Sequence, residues 1–202
     1  MDTNIVLVGK SASGKSTLAN FLTENFRYDK VIACTTRPKR DSEIDGKDYY
    51  FLTREEFDKK EENGEFVETA EYRGWKYGTL KSELEKDGDK VFVVNPNGLV
   101  ALKEIGIPMI SFYIYVRSGI RVLRQIRRGD EIDEVERRFW TDEKDFRGIQ
   151  DEVDFVVNND TDLEGCIDEI LFDVLYKYDP QNIEEFIDKL QNTLERINKH
   201  FD

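Results

Sequence analysis

Residues 9–17 read GKSASGKST and directly follow the apolar run Ile5-Val6-Leu7-Val8. The pattern G-x-x-x-x-G-K-[ST] spans Gly9, Lys10, Ser11, Ala12, Ser13, Gly14, Lys15 and Ser16. Two glycines at this spacing allow a turn whose backbone N–H groups point inward. The helix that follows then presents its positive end to the same point. The loop through Thr17 therefore reads as a cradle for nucleotide phosphates. Lys15 reaches the outer phosphates and the Ser16 hydroxyl binds Mg²⁺. The loop predicts a bound ATP or GTP but not the use made of it.

The rest of the chain supports a strand–loop–helix start. NIVLVG is a strand buried on both faces, and Leu18, Phe21, Leu22 and Phe26 fall at helical spacing after the loop. KVIACTTRP predicts a second strand ending at Pro38. RDSEIDGKDYYFLT predicts a hairpin, and REEFDKKEENGEF a helix stopped by Gly64. FVETAEYRGWKYGT predicts strand and turn. Further buried strands are predicted at DKVFVVNPNG, PMISFYIYV and VDFVVNND. Helices are predicted at GLVALKEIG, at LEGCIDEILFDVLYKY and in the charged stretch from Ile120, broken near Gly129-Asp130. Buried strands alternating with helices predict an α/β fold with a mainly parallel sheet and a P-loop NTPase-type core.

Composition narrows the partners. The chain has 43 acidic and 30 basic residues, a net charge of -13, which repels nucleic acid and anionic membranes alike. No apolar stretch approaches the roughly 20 residues that span a bilayer. The N-terminus has only four consecutive apolar residues and is not a signal peptide. Two cysteines, Cys34 and Cys166, fit a reducing cytoplasm. His200 is the single histidine, which excludes histidine-based catalysis and His-rich metal sites.

In so acidic a chain, clustered arginines are informative. TTRPKR places Arg37 and Arg40 just past a strand end, and arginine forks match phosphate oxygens in pairs. From these residues alone, a solvated loop whose charges do nothing is an equal reading.

Taken together, the phosphate loop, T-T-R-x-x-R, E-x-D-G-x-D-Y-x-F as EIDGKDYYF, REEFDKKEENGEFVE and YRGWKYGT resemble the guanylate kinase family. The resemblance covers roughly residues 4–175, dense from 5 to 80 and looser afterwards. It implies that Mg²⁺-ATP phosphorylates a nucleoside monophosphate, most simply GMP or dGMP. It also implies three parts within one kinase domain: a core (1–32, 88–120, 151–178), an inserted monophosphate-binding lobe (33–87) and a helical lid (121–150). By resemblance Arg37, Arg40, Tyr49 and Tyr77 grip the acceptor phosphate, and Glu68, Thr79 and Asn95 meet the base. Arg128 and Arg138 are the lid arginines that act with Lys15 and Arg37 in catalysis. Arg124 and Arg127 are weaker candidates, and Asn158 matches an adenine-side contact. A salt-bridged surface helix is the plainer reading of the lid stretch.

Three positions depart from the family pattern. In the segment where the family has D-x-D-x-x-G, Val93 and Asn95 replace both aspartates. Ala33 replaces a serine that meets the base oxygen. These changes leave open a different or modified base, or an inactive guanylate-kinase-like binding module. A phosphosugar kinase on the same scaffold is a further alternative. Beyond Pro180, Ile183, Ile187, Leu190, Leu194, Ile197 and Phe201 form an apolar stripe along an extra helix, 179–202. It either packs back on the chain's own core or forms a homodimer seam.

Overall fold

The computed structural model describes residues 4–26, 28–40, 43–72, 74–86, 88–160, 165–170 and 173. The extra C-terminal helix and its seam lie outside the described residues.

β1 (Asn4–Val8) is the centre of the molecule. Its side chains alternate between the two faces of the sheet: Ile5 and Leu7 join one core, Val6 and Val8 the other. All four are 0% exposed, and each such burial contributes about 2 kcal/mol. Four further strands complete an all-parallel sheet in the order β2-β7-β1-β8-β9: β2 (Asp29–Lys30), β7 (Lys90–Val94), β8 (Met109–Tyr115) and β9 (Phe155–Asn158). α1 (Lys15–Asn25) and the helical residues 165–170 cover the Ile5 face through Leu18, Leu22 and Ile170. α4 (Pro96–Ile105) covers the Val6 face through Leu99 and Leu102. The alternation of buried strands with helices is thus realised as the expected α/β core.

A second sheet of four strands runs β4-β3-β6-β5: β3 (Cys34–Thr35), β4 (Tyr50–Phe51), β5 (Phe66–Tyr72) and β6 (Trp75–Leu80). β5 and β6 form an antiparallel hairpin that turns at Gly74. α2 (Arg54–Glu62) packs Phe57 under it, stacked on Phe66 at 4.4 Å. Thr53 and Glu56 start α2 with a reciprocal capping box. A single-turn helix, α3 (Lys81–Leu84), returns the chain to the core.

Two strand expectations need correction. KVIACTTRP is not one strand but two, β2 in the first sheet and β3 in the second. At the crossing, Val31 N–H still donates to Val91 at 3.0 Å, while the Ala33 carbonyl accepts from Tyr50 N–H at 2.9 Å. The buried Glu83 carboxylate accepts the Ile32 N–H between them, at 3.3 Å. A continuous apolar run reads as one element because periodicity carries no record of a change of partner.

The stretch RDSEIDGKDYYFLT is not a hairpin either. Residues 43–49 form a loop in which Asp45 accepts from Phe51 N–H at 2.9 Å and Asp48 from Ile44 N–H at 2.8 Å. Aspartate side chains thus replace strand partners, as they do in Asx turns. Only Tyr50–Phe51 remains strand, and it runs parallel to β3.

α5 (Ser118–Arg127) and α6 (Ile132–Asp145) follow β8, separated at Gly129 and Asp130 as expected. Among the described residues no helix is long and apolar enough to cross a membrane. Cys34 and Cys166 are both buried and neither is in a disulfide.

Candidate active site

The loop after β1 is shaped by two glycines with different reasons. A Cβ on Gly9 would lie 2.6 Å from Ser13 Oγ and 2.9 Å from the Ile114 carbonyl, so no side chain fits beneath the loop. Gly14 adopts φ +96°, and a Cβ there would also meet Asn159 Nδ2 at 2.4 Å. Ala12 shares the left-handed region at φ 60°. Gly14 is the N-cap of α1, yet no side chain caps this helix and its first turn holds no acid. Its first N–H groups are left for an anion. The Lys15 ammonium folds back on the carbonyls of Gly9 and Lys10. Burial lowers its pKa to about 8, with the Asp142 carboxylate opposing the shift.

A cavity of about 540 Å³ opens beside the loop. Ser11, Ala12, Lys15 and Ser16 form its floor. The loop between β3 and β4 supplies Arg37, Arg40 and Tyr49, β6 supplies Tyr77, and the region around α6 supplies Arg128 and Arg138. Ten residues expected from the sequence therefore line one space, though they span positions 11 to 138. A second hollow of about 390 Å³ shares Ala12, Lys15, Ser16 and Arg128 with the first and is also lined by Ser13, Gly14, Thr17, Arg124 and Asn159.

The arginines are held by carboxylates. Arg37 donates two forked bonds to Glu43, at 3.0 and 2.8 Å, and lies over the rings of Tyr49 and Phe51. Burial pushes the Glu43 carboxyl up, but the Arg37 bond, the Arg40 N–H bond and the charges of both arginines together outweigh it and leave the group below its ordinary range. Arg138 donates to Asp130 at 2.8 Å and to Glu134 at 2.7 Å, and Arg128 also pairs with Asp130. Arg40 is pushed below its ordinary value by burial first, then by the charges of Arg138 and Arg37. Positive groups from two separate parts of the chain are thus close enough to repel one another, which an anion between them would relieve.

The expected base-side residues stand apart from the cavity walls. Thr79 Oγ donates to Glu68 Oε1 at 2.9 Å, across a directly paired position of the β5–β6 hairpin. Thr79 alternates with Tyr77 and so shares its face of β6, one pair deeper than the cavity lining. Burial raises the Glu68 pKa, and the Thr79 bonds oppose it. Asn95 caps α4, accepting the Gly98 N–H at 2.8 Å. Ala33 and Val93 line the cavity without a side-chain donor or acceptor.

Some functional neighbours were not legible from the sequence. Asn158 is exposed and accepts from Asp160 N–H at 2.8 Å; it is the next residue, Asn159, that reaches the loop. Its Nδ2 donates to the Ser13 carbonyl at 2.9 Å. Arg124, a weaker candidate, donates to the Asn159 carbonyl at 2.8 Å, whereas Arg127 is exposed. Trp75 and Lys30 also line the main cavity. An aromatic at a hairpin turn and a lysine in a short strand carry no signal of this in the sequence.

Comparison with known proteins agrees with this geometry. The family model described as guanylate kinase matches residues 1–196. The guanylate kinase of Thermotoga maritima is 34% identical over 179 residues, covering 82% of this chain and 83% of its own. The crystal structure of guanylate kinase from Anaplasma phagocytophilum superposes with a TM-score of 0.68 at 27% identity, over 89% of this chain and 88% of that one. Shikimate kinase from Acinetobacter baumannii, at 13% identity and a TM-score of 0.51 over 88% and 96%, shares the fold alone. A phosphate loop opening on an arginine-walled cavity, with a family match over nearly the whole chain, places this protein in the guanylate kinase family.

Proposed function

We propose that the protein transfers the γ-phosphoryl group of ATP to GMP or dGMP, giving ADP and the nucleoside diphosphate. One observation carries the assignment of residues: Arg37, Arg40, Arg128 and Arg138 converge on the cavity whose floor is Lys15 and Ser16. Residues 33–87 act as the acceptor lobe and 121–150 as the lid. The uncapped start of α1 and the loop N–H groups hold the donor phosphates. Arg37, Arg40, Tyr49 and Tyr77 hold the acceptor phosphate in line with them. The acceptor's oxygen bonds to the γ-phosphorus as the bond to the β,γ-bridging oxygen breaks. Lys15, Arg128 and Arg138 neutralise charge on the moving group, so positioning and cations suffice and no nucleophilic side chain is needed.

The Ser16 hydroxyl, exposed in the first turn of α1, would hold Mg²⁺ together with phosphate oxygens and water. Bound there, the ion would supply positive charge that offsets that of the phosphates. Among the described residues no cluster of three acidic, cysteine or histidine side chains could hold an ion alone, which suits an ion carried in with ATP. A cytoplasmic location fits the two thiols outside any disulfide and the net charge of -13.

Base selection rests on Glu68, whose two oxygens can accept from the adjacent N1–H and N2–H₂ donors of guanine. The Asn95 acceptor is already committed to the Gly98 N–H. That observation favours, as a second reading, weaker discrimination among purine monophosphates. An ATP-dependent kinase screen over all ribo- and deoxyribonucleoside monophosphates tests both. Highest kcat/KM for GMP or dGMP supports the first; equal values for several bases supports the second. No turnover with any acceptor overturns both.

A further inference from the structure

Arg121 is the largest fully buried side chain among the described residues, 2% exposed, yet no step above uses it. It lies on α5, with its guanidinium between α5 and α6. Nη1 donates to Asp142 at 3.3 Å, Nη2 to Glu143 at 2.9 Å, and Nε to the Val116 carbonyl at 3.3 Å. The ring of Phe139 lies 5.9 Å from its centre.

Both carboxylates continue to the phosphate loop. Asp142, 4% exposed, accepts the backbone N–H of Ser11 at 2.8 Å and faces the Ser11 hydroxyl at 3.4 Å. Glu143 accepts from the Lys10 ammonium at 2.6 Å. A carboxylate beside a phosphate site is ordinarily a liability, because it repels the ligand. Here two cations, Lys10 and Arg121, balance two anions, so the cluster adds no net charge. A buried ion pair is also weak evidence of stability, since apolar residues of similar size do as well or better. Its distinguishing feature is its third partner: a charge-assisted bond to a main-chain N–H of the loop itself.

We propose that Asp142, held by Arg121, is a positioning residue for ATP. It fixes the Ser11 turn of the phosphate loop and locks α5 and α6 to that loop. The arginines at 128 and 138 are then registered against the donor phosphates rather than against the acceptor lobe. The direct bond from Arg124 Nη2 to the Asn159 carbonyl makes a second attachment of α5 beside the loop. The inference rests on reading residues 9–17 as an ATP phosphate loop.

The test measures KM for ATP, KM for the monophosphate, kcat and Tm on the full 202-residue chain. Asp142→Ala raises KM for ATP about tenfold, the loss of one hydrogen bond to a charged group, with KM for the monophosphate within about twofold. Asp142→Asn keeps an acceptor for the Ser11 N–H and lies nearer the parent. The decisive variant is Arg121→Leu/Asp142→Leu, which removes the buried charges together. It regains the parental Tm but not the parental KM for ATP. Recovery of both, or equal rises in both KM values that track Tm, overturns the proposal and leaves the pair as packing. If Asp142→Ala does not fold, the double variant decides; if neither folds, the pair is a stability element and the proposal fails. Lys15→Ala runs alongside. Retained turnover there overturns the phosphate-loop reading, whereas lost turnover with unmoved ATP KM in the Asp142 variants overturns this inference alone.

Discussion

The phosphate loop and the arginine cluster facing it both suit anions, but they are built in opposite ways. The loop is local: nine consecutive residues, backbone donors, an uncapped helix start and the Lys15 ammonium. The cluster is dispersed: its four arginines come from positions 37 to 138, and Arg37, Arg128 and Arg138 rest on carboxylates that an incoming phosphate must share or displace. Backbone donors are oriented by the fold whether or not a ligand is present. Long side chains are oriented only by their partners, here Glu43, Asp130 and Glu134. The loop is therefore preorganised by the chain path, and the cluster by a set of surrogate anions.

If that contrast holds, the largest effect belongs to Lys15, the one loop group that must reach the transferred phosphoryl. Lys15→Ala is expected to lower kcat by at least about 100-fold, with an unchanged circular-dichroism spectrum. Near-normal kcat in a folded variant would break the comparison at its stronger end.

Arg37→Lys comes next. It keeps the charge but loses the fork now engaged by Glu43, so KM for the monophosphate is expected to rise about tenfold or more while KM for ATP holds. Equal rises in both constants would mean that the two sites are one.

A smaller, selective effect is expected at Glu68. Glu68→Gln turns one acceptor into a donor opposite guanine's donors, lowering kcat/KM for GMP about tenfold more than for other monophosphates. The same loss is expected in the parent on acidification. Burial raises this carboxyl's pKa, so the protonated form that no longer accepts from both donors appears at higher pH than for an ordinary glutamate. A KM for GMP that is flat with falling pH argues against Glu68 as the reader.

The smallest signal is a proton. Lys15 titrates near 8 in the nucleotide-free protein because burial disfavours its charge. Phosphate oxygens favour the charged form, so ATP binding near pH 8 is expected to take up about half a proton. Calorimetry in buffers of different ionisation enthalpy reads it directly. Zero uptake, or release, would show that Lys15 does not meet the phosphates.

Much of the phosphate loop was legible because its chemistry is written in neighbouring residues. Gly9, Gly14, Lys15 and Ser16 need only their own spacing and a preceding apolar strand. Arg37, Arg40, Tyr49, Tyr77, Arg128 and Arg138 were legible through family resemblance, since no local pattern separates them from solvated arginines and core tyrosines. The strand partition at 30–38 and 40–53 was not legible. A strand's pattern records which faces are buried, not which neighbour supplies the hydrogen bonds.

By itself, then, the sequence determined the parallel core, the phosphate loop and the order of helices, each set by short-range periodicity and glycine placement. Tertiary structure alone decided three other matters. It left Asn158 exposed and set the buried Asn159 against the Ser13 carbonyl, because strand alternation sends neighbours to opposite sides. It committed Asn95 to a helix cap, because an exposed first turn competes for any nearby acceptor. And it joined Arg121 and Asp142 to Ser11, more than a hundred residues away in the chain. In sequence those two are ordinary charges on a charged helical stretch. Only the packing of α5 on α6 against the loop removes them from water, and burial makes their pairing specific.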